Sequence, residues 1–202
     1  MSRVTKAGRG MKESTRNGVF NVRLATLADI PALQKLIAAS VRGLQAKHYS
    51  KDQMDAAIGS VFGVDTQLIH DGTYFSVEAE IDEGLHGKVV ACGGWSKRKT
   101  LFGSDNVQGK DDRSLDPRHD AARIRALFVD PEWARRGIAT RIMSACEEAA
   151  SAAGFTKLSL VATLTGEVFF RGHGFKAVER YSISLPRGEM LPVVAMDKAI
   201  QN

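Results

Sequence analysis

The chain has 202 residues and a formal net charge of +5, with 44% hydrophobic and 25% charged residues. This length and balance suit one folded domain with a buried core, and they exclude a fibrous chain or one disordered throughout. No stretch approaches the roughly 18 consecutive apolar residues of a membrane span, and the first residues lack the apolar run of a signal peptide, so a cytoplasmic protein without a membrane partner is expected.

The charge is local. Residues 1–17 hold Arg3, Lys6, Arg9, Lys12 and Arg16 against Glu13, a net +4, which leaves +1 for the rest. With no apolar periodicity, residues 1–18 read as a flexible basic leader with nothing to bury, and nucleic acid is disfavoured as a partner. A single domain is expected over residues 19–202.

Phe20, Val22 and Leu24 alternate with polar or small residues and predict a first strand. Thr26 and Asp29 have capping-box spacing before Pro31, and Ile30, Leu33, Leu36 and Ile37 share one helical face. Ser50 and Gln53 predict a second helix over about residues 50–62, closed by Gly63. TYFSVEAEI and VVACGGW read as a hairpin joined through the GLHGK turn. Residues 96–119 lack periodicity and form the one long internal loop, either solvated or facing a substrate.

ARIRALFV then reads as a strand that Asp130-Pro131 ends. RRGIAT opens a helix with Ile142, Cys146, Ala149 and Ala153 on one face, stopped by Gly154. KLSLVAT is a further strand, residues 165–172 suit a short helix, and KAVERYSISL and LPVVAMDKAI form strands joined by Pro186-Arg187-Gly188. Cys92 and Cys146 lie far apart in apolar segments without a CxxC pair, so buried free thiols are expected. No cysteine or histidine spacing suits zinc, and no metal is expected.

Arg135-Arg136-Gly137-Ile138-Ala139-Thr140, placed between a strand and a helix, carries the clearest chemistry. The first N–H groups of a helix lack internal partners and sit at the positive end of its dipole, where an anion is stabilised. Gly137 and Ala139 allow a phosphate close to the backbone, and the two arginines add charge. A plain turn before a helix reads the same way in isolation. No GxxxxGK[ST] occurs, and Gly172–Ala177 matches GxGxxA in the reverse of its proper strand-to-helix context.

ALFVDPEWARRGIATRIM fits a [Q/R]-x-x-G-x-[G/A] pattern at Gly137 and Ala139, with Ala134 where Gln or Arg is usual, and TGEVFFRGHGF, which keeps Phe169, Gly174 and Phe175, stands at the expected separation. In these motifs and in its element order the chain resembles the GNAT superfamily of N-acetyltransferases. The resemblance implies an α/β fold: a mixed, mostly antiparallel sheet of six to seven strands, splayed between strands 4 and 5, with helices on both faces. It implies acetyl-CoA as co-substrate and direct transfer to the primary amine of a small molecule or peptide. Leu127, Phe128 and Val129 would pair with the pantetheine arm, and Arg135, Arg136, Gly137, Ile138, Ala139 and Thr140 would hold the pyrophosphate. Thr165 and Phe170 would also contact the cofactor, and a backbone N–H near Val129 would stabilise the oxyanion. A homodimer is compatible with it, and a catalytically silent acyl-CoA-binding module is the alternative reading.

Two departures bear on catalysis. Phe170 stands where the family often has a tyrosine that protonates the leaving thiolate, and Arg123 where some members place a basic glutamate. Either solvent protonates the thiolate, or another side chain substitutes, or catalysis is lost. Replacement candidates are Tyr49, Glu78, His119, Asp120, Glu167 and Tyr181, each with a plain structural reading beside the functional one. Trp95 would line the acceptor pocket or belong to the core.

Overall fold

The computed structural model describes residues 19–80 and 87–200. The leader expected at residues 1–18 and most of the GLHGK turn lie outside the described residues. The strands are β1 (Phe20–Leu24), β2 (Tyr74–Ala79), β3 (Lys88–Ser96), β4 (Ala122–Val129), β5 (Lys157–Thr163), β6 (Lys176–Ser184) and β7 (Met190–Ala199). The helices are α1 (Ile30–Leu44), α2 (Lys51–Ala57), α3 (Thr66–His70), α4 (Ile138–Ala152) and α5 (Leu164–Gly172).

The strands form one sheet in the order β1-β2-β3-β4-β5-β7-β6. Every neighbouring pair is antiparallel except β4 and β5, which run parallel. This is the expected mixed sheet, with a core on each face. Ile138, Ile142, Met143 and Cys146 of α4 pack on one side against Val77 and Leu158. Leu33, Leu36, Ile37 and Val41 of α1 cover the other with Tyr74, Cys92 and Phe128. Gly93 of β3 matters here because a Cβ there would lie 2.8 Å from both Ile142 and Leu127, too close for the helix and β4 to keep their places. Both cysteines are buried free thiols, as expected.

The helix caps follow the sequence with two corrections. Asp29 takes the Thr26 N–H at 2.7 Å, but the capped turn is a short 3-10 segment and α1 proper begins at Ile30. Ser50 and Gln53 form the expected reciprocal box, with bonds of 3.1 and 2.9 Å. However, α2 stops at Ala57 rather than near residue 62. Ile58 is extended, and Gly59, at φ 84°, turns the chain so that its N–H donates to Phe62 O at 2.7 Å. Val61 and Phe62 keep a helix-like spacing while reaching the core from this turn.

Residues 96–119 fold back on themselves. Lys99 N–H donates to Arg113 O at 3.0 Å and Leu115 N–H to Lys97 O at 2.8 Å. Arg98 anchors the segment on Asp71 at 2.6 Å. The five-residue α3 has too few residues to show periodicity, and its start is marked by the cap at Asp65.

Candidate active site

The parallel pairing of β4 with β5 covers only Ala122 with Leu158 and Arg123 with Ser159. Beyond it the strands part, and a cleft of about 340 Å³ opens between them. Residues 124–129 and 160–163 line it, with Ser40, Leu44 and Gln45 from the α1 side and Leu101–Gly103 from the folded-back loop. Thr165, Phe169 and Phe170 of α5 line another wall, and Ala134, Arg135 and Ala139 mark the end at α4.

β4 is bent where it borders the cleft. Ala126 has φ 54°, a left-handed conformation that a residue with a Cβ adopts at a cost, and the register with β3 shifts beside it. On the far side of this bulge, Asp130 N–H donates to Val90 O of β3 at 2.8 Å, whereas Val129 N–H points the other way and donates to Ser40 Oγ at 3.3 Å. The cleft edge of β4 therefore presents a backbone donor held by a single long bond.

At the other end, Arg135 at φ 65° and Gly137 at φ 76° turn the chain into α4. Gly137 occupies the cap position and has no side chain to satisfy the first-turn N–H groups of Ile138, Ala139 and Thr140. A Cβ on Gly137 would meet nothing within 4 Å, so the space over these donors is open. Arg135 is exposed beside it. An open, uncapped helix start with adjacent guanidinium charge favours negative charge placed beside it.

Residues 114–184 match the family model described as acetyltransferase (GNAT) domain. That segment, from Ser114 to Ser184, is similar to a GNAT acetyltransferase domain. No curated protein matches the sequence. Among solved structures, a GCN5-related N-acetyltransferase from Rhodopseudomonas palustris is similar at 21% identity, covering 89% of this chain and 94% of that one, with a TM-score of 0.62. PaiA N-acetyltransferase from Thermoplasma acidophilum, in complex with coenzyme A, is 13% identical over 90% of this chain and 99% of that one, with a TM-score of 0.57. The ribosomal-protein-S18-alanine N-acetyltransferase of Escherichia coli is 13% identical over 91% and 96%, with a TM-score of 0.52.

The residues anticipated from the two motifs stand in different relations to the cleft. Leu127, Phe128, Val129, Arg135, Ala139, Thr165 and Phe170 line it. Ile138 is buried in the core, and neither it nor Gly137 or Thr140 is among the lining residues. Arg136 turns away, with its guanidinium 4.6 Å from the Trp133 ring centre. Thr140 Oγ1 is 3.2 Å from His173 Nε2, whose other ring nitrogen lies 2.9 Å from Phe169 O. That histidine joins the start of α4 to α5, a link that sequence spacing did not signal.

None of the candidate acids and bases lines the cleft. The Tyr49 hydroxyl donates to Pro192 O at 2.7 Å and accepts from Leu164 N–H at 2.8 Å, so it ties α5 to β7. Burial raises its pKa. Glu78 is paired with Arg23 at 2.6 Å. Arg180 and then Arg171 hold the Glu167 carboxylate below its ordinary pKa. Asp120 accepts from Asp116 N–H at 2.8 Å, and His119 is exposed beside it. Tyr181 lies on β6, its pKa raised by burial. Arg123 bonds Ser159 Oγ where β4 and β5 still pair, closing the splay rather than facing it. Trp95 belongs to the core, edge-on to Phe155 at 6.0 Å, which removes it from the acceptor wall.

The cleft also uses residues that the sequence did not single out. Arg125, in its wall, is buried and paired with buried Asp65 at 2.7 Å, and it donates to the carbonyls of Thr100 and Gly103 at 3.0 and 2.8 Å. Five buried side-chain polar atoms among the described residues lack partners, and two of them, Gln45 Oε1 and Thr165 Oγ1, belong to the cleft walls. An unsatisfied buried group costs about 1–3 kcal/mol, which favours any turn of either side chain that gives it a partner.

Proposed function

We propose that the protein transfers the acetyl group of acetyl-CoA directly to a primary amine. The observation that carries this is the cleft that begins where β4 and β5 part and ends at the uncapped start of α4, in a chain that matches a GNAT domain over residues 114–184. The residues fit the co-substrate. Its pyrophosphate suits the N–H groups of Ile138, Ala139 and Thr140 with Arg135 beside them, and Gly137 leaves that space free. Its pantetheine amides suit the exposed edge of β4 from Leu127 to Val129, where the Val129 N–H would exchange Ser40 Oγ for the ligand. Thr165 and Phe170 would flank the arm. Bound there, acetyl-CoA supplies an activated acyl group.

The walls supply positioning, exclusion of water and backbone donors in place of a side-chain acid or base. The Val129 N–H is the oxyanion donor in this reading, and solvent protonates the released thiolate, whose thiol pKa is near 8.5. Two buried free thiols suit a reducing, cytoplasmic setting.

Titration calorimetry with acetyl-CoA tests the reading: saturable binding is expected, and no heat of binding at millimolar concentration would overturn it. Phe170, together with the lack of a titratable acid or base in the described walls, favours one rival, a silent acyl-CoA-binding module. Binding without acceptor-dependent release of CoA over a panel of amines would establish that rival instead.

A further inference from the structure

We propose that the acceptor end of the cleft takes a weakly basic amine on an apolar body, the α-amine of an apolar residue, with Gln45 Oε1 accepting one of its N–H groups. The proposal rests on the acetyl-transfer reading above. The first observation is the charge of the walls. Among the described residues lining the cleft there is no Asp, Glu, His, Lys, Cys or Tyr, and the side chains beside Gln45 include Leu44, Val61, Phe62 and Phe102. The nearby guanidinium of Arg125 is already committed to Asp65. A cationic acceptor would exchange water for a wall without a carboxylate, which is an unpaired buried charge.

A neutral acceptor avoids that penalty, and amines differ widely in how much neutral form they hold. At pH 7 about one in ten α-amines of pKa near 8 is neutral, against about one in 2,500 lysine-type amines of pKa near 10.4. With no base in the described walls, the amine has to arrive deprotonated.

The second observation is Gln45 itself. It caps the end of α1, is only 7% exposed, lines the cleft, and its Oε1 is buried without a partner among the described residues. Its oxygen is closed to solvent, so the Gln45 side chain turns to meet the amine; a buried carbonyl oxygen calls for a donor, and a neutral amine has two. In the transfer, the nitrogen lone pair bonds the acetyl carbon while the thioester C–S bond breaks. The nitrogen gives one proton to water and the CoA sulfur gains one from water, so the products are an amide and free CoA.

Phenylalaninamide, Nα-acetyl-lysinamide and spermidine, each with saturating acetyl-CoA, test the class by CoA release. Phenylalaninamide is expected to give at least about tenfold the kcat/KM of the other two, as their neutral fractions imply. Its kcat/KM should rise tenfold per pH unit up to the amine's own pKa, and the break should move when an amine of different pKa is used. Preference for the lysine-type amine or spermidine, or a break fixed whatever the amine, would overturn the proposal. So would acetyl-CoA binding with no release by any of the three. Failure to bind acetyl-CoA would instead overturn the acetyl-transfer reading. Gln45→Leu should weaken phenylalaninamide binding about three- to tenfold by calorimetry in the presence of CoA, with acetyl-CoA affinity retained. Unchanged amine affinity in that variant would refute the role of Gln45, and the pH series requires no variant at all.

Discussion

Three single residues set the geometry of the cleft and its support, and each can be tested separately. Gly137 combines φ 76° with open space for a Cβ, so Gly137→Val meets backbone strain but no clash in the protein alone. The strain should lower stability by about 1–2 kcal/mol in denaturant titration, while acetyl-CoA affinity falls at least about tenfold as the side chain fills the phosphate's place. Equal affinity would show that the anion binds elsewhere. Ala126 presents the opposite case, a Cβ already held at φ 54°. Ala126→Gly should raise stability by about 0.5–1 kcal/mol, read as a higher denaturation midpoint. Asp29 bonds Arg23 at 2.7 and 2.8 Å, and that guanidinium, with the Thr26 donors, holds its pKa down to about 2. A carboxylate whose folded pKa is depressed stabilises the fold above its unfolded value near 4, and that contribution is lost as pH falls toward about 2. Asp29→Asn should therefore lower stability at pH 7 by about 1 kcal/mol and flatten the decline between pH 4 and 2 in acid titrations.

At the level of elements, α1 adds to its apolar packing on β4 one polar contact, the Ser40 Oγ on Val129 N–H. If that donor turns to the co-substrate on binding, Ser40→Ala removes a competitor and should tighten acetyl-CoA up to about fivefold by calorimetry. Weaker binding would mean that Ser40 belongs to the ligand site. Contacts of this kind explain what the sequence could and could not convey. Strand alternation and capping residues place β1, α1, α4 and β4 to β7 correctly, because those patterns report burial of one face and the satisfaction of helix ends. The uncapped turn into α4 was also legible, since Gly137 is needed at a positive φ just before an apolar-faced helix. The early stop of α2 was not, because Val61 and Phe62 satisfy the same periodicity from a turn. Nor were the partners of Ser40, Tyr49 and His173, which lie 89, 115 and 33 residues away in the chain. Tyr49 and Glu167 looked chemically able, and only the structure shows their polar atoms already committed.

Across the whole molecule, the cleft wall formed by the folded-back loop, the proposed acceptor end, is tied to one buried charge network. Asp65, at the start of α3, faces Arg125 of β4 at 2.7 Å and Lys110 of the folded-back loop at 3.0 Å, and both acid and guanidinium side chains are 3% exposed. Arg125 in turn holds the carbonyls of Thr100 and Gly103, which flank the cleft-lining residues Leu101 and Phe102. Removing one member of a buried pair leaves the other charged and unpaired, so Asp65→Ala should cost about 3–5 kcal/mol. For a chain of this size that lowers Tm by roughly 10 °C. The loss should be uneven. Amide exchange should quicken in residues 99–112, which lose the Lys110–Asp65 tie while Arg98 stays on Asp71, and α4 with its uncapped start, which shares no bond with Asp65, should keep its protection. Below the new Tm, acetyl-CoA affinity should then be nearly unchanged while the KM for an amine rises. A parallel fall in both would show that the two ends of the cleft are one mechanical unit, and the loop would lose its separate role in shaping the acceptor pocket.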